Sequence, residues 1–145
     1  MKIIIASHGD YSIGILDSLN VIFGGSLPQE VITYSLHVGE DVNNLVNKVT
    51  SNINNDELTI ILTDLLGGSV DNALFPLINK KNIHIITGIN LSLVLEIMTL
   101  KDTENLDHDI NTIIENSRNS LVSKNELFKT IQNNNSYNDD LDLED

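Results

Sequence analysis

Lys2-Ile3-Ile4-Ile5-Ala6-Ser7-His8-Gly9-Asp10 is the stretch that decides the fold. An apolar run the length of residues 3–6 predicts a buried parallel strand. Three further runs, residues 31–36, 58–63 and 83–87, repeat the pattern. Helical periodicity fills the gaps between them. Ile15, Leu16, Leu19, Ile22 and Phe23 share one face before Gly24-Gly25, a pair suited to closing a helix. Val42, Leu45, Val46, Val49 and Ile53 share another, opened by Glu40-Asp41, whose charge suits the helix dipole. Ala73, Leu74, Leu77 and Ile78 form a third, with Pro76 as a local conflict because it lacks an N–H and should kink the backbone. Strands alternating with helices predict right-handed βαβ units. The expected fold is α/β: an open, mostly parallel sheet flanked by helices, doubly wound.

Beyond the fourth run, residues 91–100 are apolar nearly all round, which predicts a helix buried on two sides, against its own sheet and another subunit. Leu106, Ile110, Ile113 and Ile114 give one more amphipathic face. Residues 119–128 are ambiguous, and 120–123 suit a short edge strand. A domain of residues 1–132 is expected, followed by an acidic, unordered tail at 133–145.

Composition narrows the functional classes. The 145-residue chain is long enough for one core, and 41% hydrophobic residues is ordinary for a globular protein. No apolar stretch reaches the ~18 residues of a membrane span. Met1-Lys2 leads straight into the first strand without signal-peptide features. The absence of cysteine excludes disulfides, thiolate metal sites and thiol nucleophiles, and a cytoplasmic location is expected. The net charge is −13. Asp139, Asp140, Asp142, Glu144 and Asp145 account for five of those charges, so the body carries the other eight. Such a surface repels nucleic acid and attracts a partner with a basic face.

His8 stands at the carboxyl end of the first strand, facing the crevice where open α/β sheets do chemistry. The third run ends in Thr63-Asp64-Leu65-Leu66-Gly67-Gly68-Ser69. That puts a carboxylate and a glycine turn at the same edge, since first and third strands of such sheets are commonly neighbours. A phosphoryl-accepting imidazole needs one nitrogen free and the other donating its proton to an acceptor. Asp64 is the candidate acceptor. Gly67, Gly68 and Ser69 are candidates to bind the phosphoryl group at a helix start, and Ser69 also to bond the imidazole. His37 is expected on the rim, His84 inside the fourth strand, and His108 exposed. Asp10 is expected to form a turn or cap the first helix. A metal site from His8, Asp10 and Asp64 matches no defensible ligand spacing.

These stretches resemble the enzyme IIA domain of the mannose family of the bacterial sugar phosphotransferase system (PTS). The resemblance rests on residues 4–9 with Gly14, on Gly39-Glu40, on residues 63–69 with Asn72-Ala73, and on residues 87–91. It implies that His8 is phosphorylated, that Asp64 hydrogen-bonds it, and that Ser69 is the active-site serine. It implies phosphorylated HPr as donor, a IIB domain on a separate chain as acceptor, and membrane IIC and IID subunits further on. Such a protein works in the cytoplasm, recruited to the inner face of the membrane. It needs no metal or nucleotide cofactor. It also implies a homodimer in which a late antiparallel edge strand, here residues 119–123, is exchanged. Val70, Val38 and Ser92 stand where the family often has proline. The alternatives are the phosphoryl-donating subunit of a dihydroxyacetone kinase, a noncatalytic regulator binding through its acidic face, and a receiver domain phosphorylated on Asp64. The last lacks the acidic pair, because Ser7-His8 occupies its place, and no lysine closely follows the fourth run.

Overall fold

The computed structural model describes residues 1–101 and 104–141. Four strands, β1 (Lys2–His8), β2 (Glu30–Leu36), β3 (Thr59–Thr63) and β4 (Ile83–Thr87), form one sheet in the order β2-β1-β3-β4. Every pairing is parallel. Helices α1 (Tyr11–Ile22), α2 (Val42–Ser51), α3 (Ser69–Leu74), α4 (Leu91–Met98), α5 (Leu106–Asn119) and α6 (Lys124–Leu141) complete the described chain.

The two-residue repeat of an extended chain sorts the core. Ile3 and Ile5 of β1 join Ile60 and Leu62 of β3 in a cluster with Leu19 of α1, Val94 and Ile97 of α4 and Ile110 and Ile113 of α5. Ile4, Ala6 and Ile61 face the other way, onto Leu45 and Val49 of α2 and Val70 and Leu74 of α3. Both faces of β1 are therefore dry, and residues 3–6 are fully buried. A central strand needs that all-apolar sequence.

Local chemistry sets the helix ends. At α1 the Gly25 and Gly24 N–H groups donate to the Asn20 and Val21 carbonyls. Both glycines have positive φ, and the bonds make the paired closure that glycine permits after a helix. The Asp41 side chain caps α2 by accepting from the Asn43 N–H.

Asp10 forms the expected turn, at the N-cap position of α1, while the side chain that caps the helix is Ser7, whose hydroxyl accepts from the Ser12 N–H at 2.7 Å. Other expectations change. Pro76 kinks no α-helix, because α3 ends at Leu74 and Pro76 lies in the first turn of a tighter 3-10 segment, Phe75–Asn79, where a missing N–H is harmless. The second surface that buries α4 is α5 of the same chain. Asn119 ends α5 and Ser120 caps it, and residues 121–123 are not in a strand. The acidic stretch begins inside α6, and residues 142–145 lie outside the described residues.

Candidate functional site

The sheet order makes β1 the neighbour of β3, with Ala6 beside Thr63. The two chains leave the sheet side by side, β1 into His8 and β3 into Asp64. The His8 backbone N–H donates to Asp64 Oδ2 at 2.9 Å. The ring turns back onto the same group, with Nδ1 2.9 Å from Oδ2 and 3.2 Å from Oδ1. A carboxylate accepts and does not donate, so the ring proton resides on Nδ1. Asp64 thereby fixes the backbone, the ring plane and the tautomer of one residue.

Nε2 is then the nitrogen with a free lone pair. It lies 2.9 Å from Ser69 Oγ and accepts from that hydroxyl. The imidazole is gripped between β3 and the start of α3, yet its side chain remains 40% exposed, against 15% for Asp64. The acid is sheltered while the nucleophilic edge is open to a visiting molecule.

Gly67 and Gly68 shape this arrangement rather than donating outward. The Gly67 N–H is taken by Asp71 Oδ2 and the Gly68 N–H by the Leu65 carbonyl. Gly67 has φ +74°, a region side chains avoid. Gly68 is needed for space: a Cβ there would stand 3.0 Å from His8 Cε1 and 3.1 Å from the Leu65 carbonyl oxygen.

Tyr11 walls the crevice. Its hydroxyl donates to the Ile89 carbonyl at 2.9 Å, tying α1 to the loop after β4. Burial first, then the Asp64 charge, raises its pKa, so the phenol stays a donor. Tyr11, Ile13, Val38, Leu65 and Leu66 are large exposed apolar side chains at this edge. His37 is on the rim, with Nε2 3.6 Å from Asp10 Oδ1 and both side chains exposed. His84 lies within β4 near Asp107, and His108 is on α5.

Sequence reasoning missed Ser7, Tyr11 and Asp71. An acid at the third position of a helix that opens with Gly-Gly-Ser is the one cue that pointed to Asp71.

The family model for the PTS system fructose IIA component matches residues 2–114. The PTS system fructose-specific EIIA component of Bacillus subtilis (strain 168) is 27% identical over 106 residues, covering 70% of this chain and 71% of that protein. The crystal structure of a phosphotransferase system component EIIA from Streptococcus agalactiae superposes with TM-score 0.74 at 29% identity, over 85% of this chain and 97% of that one. The PTS IIA protein associated with the fucose utilization operon of Streptococcus pneumoniae gives TM-score 0.71 at 30% identity, over 88% and 96% of the two chains.

Proposed function

The chain belongs to the PTS system fructose IIA component family, and on that premise we propose that it carries a phosphoryl group on Nε2 of His8. The carrying observation is the two-sided hold on the imidazole, with Asp64 at Nδ1 and Ser69 at Nε2. The Nε2 lone pair attacks phosphorus, and the N–P bond of the donor's phosphohistidine breaks as the new one forms. The Nδ1 proton stays with the ring. Asp64 offsets the positive charge that the ring acquires. The Ser69 hydroxyl leaves Nε2 and turns to a phosphoryl oxygen. Transfer of this kind is positioning plus charge stabilisation.

The donor is phosphorylated HPr, and the acceptor is a histidine of a separate IIB chain, which serves sugar uptake through membrane IIC and IID subunits. No helix among the described residues is long and apolar enough to cross a membrane. We place the protein in the cytoplasm, meeting its transporter at the inner face of the membrane. The exposed apolar residues around His8 form the centre of the docking surface, and the −13 net charge draws carriers with a basic face. Among the described residues β4 pairs with β3 alone, which leaves its other side open to an edge strand from a second subunit.

Incubation with phosphoenolpyruvate, enzyme I and HPr tests the reading. Label is expected on the native chain and lost in His8→Ala, and stable labelling of that variant refutes it. Alkali-stable, acid-labile label identifies phosphohistidine over acyl phosphate. Transfer to IIB rather than to a dihydroxyacetone kinase's nucleotide-binding subunit separates the two carrier roles.

A further inference from the structure

Asp71 stands behind the glycine turn, and each of its carboxylate oxygens holds a different part of the site. Oδ1 accepts from the Thr63 hydroxyl at 2.9 Å. Oδ2 accepts from the Gly67 N–H at 2.9 Å. Thr63 is fully buried, ends β3 and directly precedes Asp64. Gly67 lies two residues before Ser69. One side chain therefore ties the residue before the acid that holds Nδ1 to the turn before the hydroxyl that meets Nε2. Asn72 completes the clamp by donating from Nδ2 to the Gly67 carbonyl at 2.8 Å. Both polar groups of Gly67 are thus held by the first turn of α3, in a turn whose neighbour Gly68 has no room for a Cβ beside His8.

We propose that Asp71 is a positioning residue for phosphoryl transfer, setting the separation between Asp64 and Ser69 across which the imidazole is held. An acid at the third position of a helix ordinarily caps it by bonding the backbone just upstream. Asp71 does that and also reaches the end of β3, a contact a plain cap does not need. Hydrogen bonds to a charged acceptor are the stronger kind, and small errors of placement at a reacting atom cost much rate. Ser69 thereby stays over Nε2 in the resting protein, and the opening is held to one width when the phosphoryl group replaces that contact.

The inference rests on the carrier reading for its kinetic consequence, but its structural consequence is measurable without any donor. Nitrogen-15 spectra of the His8 ring in the resting protein read the Ser69 contact directly. In Asp71→Ala the Nε2 resonance is expected to move to its position in Ser69→Ala, and in Asp71→Asn, which keeps one acceptor, to an intermediate position. An unmoved resonance in Asp71→Asn, the milder variant and the one read if Asp71→Ala does not fold, overturns the proposal. With phosphorylated HPr as donor, Asp71→Asn is expected to lower the saturating transfer rate by about tenfold with an unchanged KM. In the Ser69→Ala background the same change is expected to add less than about twofold, because residues acting through one another are not additive. A full tenfold in that background overturns the coupling. Wild-type protein that takes no phosphoryl group while the resonance shifts appear as stated removes the carrier reading and leaves the positioning role of Asp71.

Discussion

His8 with Asp64 and His37 with Asp10 are the same chemical pair at the same edge of the same sheet, one residue of each pair close to a strand end. At the first pair the ring nitrogen is 2.9 Å from a carboxylate that is 15% exposed. At the second the distance is 3.6 Å and both side chains stand in water, 52% and 75% exposed. His8 is held by its backbone N–H and by both ring nitrogens. The His37 backbone N–H goes instead to Glu40 at 2.7 Å, closing a local turn. Residue type does not separate these pairs. Sheet order does, because β1 and β3 are central strands whose ends meet, whereas β2 lies at the edge. A histidine that leaves a central strand finds partners on two sides, and one that leaves an edge strand meets solvent.

Substitutions ordered by effect test this contrast. Asp64→Ala is expected to slow phosphoryl acceptance by roughly a hundredfold, by freeing the ring and its tautomer, measured by rapid quench from phosphorylated HPr. A rate equal to wild type would place the two pairs on one level. Gly68→Ala comes next, at about tenfold, because the new methyl presses on the imidazole and on the Leu65 carbonyl of the same turn, both local to the site. A circular dichroism melt within a few degrees of wild type, beside the slowed transfer, is the expected signature. His37→Ala is expected to change the rate by less than about twofold and stability by less than ~0.5 kcal/mol, as for an exposed pair. A tenfold loss there would move His37 from the rim into the site.

Much of this was legible in the chain. The alternation of apolar runs and helical faces gave the layer order, because both faces of a central strand must be dry. The placement of His8, Asp64 and Ser69 at one edge was legible from that order, since each ends, follows or opens an element whose position the pattern fixes. What escaped notice depends on contacts made after folding. Ser7 displaces Asp10 as the cap of α1 because the turn at Gly9 swings the Ser7 hydroxyl under the Ser12 N–H. The tolerance of Pro76 depends on where α3 stops, which periodicity places only loosely. The partner of α4 proved to be α5, a choice between two apolar surfaces that composition does not decide. The need for glycine at position 68 comes in part from an imidazole 60 residues earlier in the chain, which no local pattern records.

The central claim is that Asp64 commits one imidazole nitrogen to a proton and leaves the other to take phosphorus. Nitrogen and phosphorus NMR of the phosphorylated protein tests it most directly. A phosphorus–nitrogen coupling to Nε2 of His8, with Nδ1 still protonated, is the predicted result. Phosphorus found on Nδ1, or on any residue other than His8, would contradict the account.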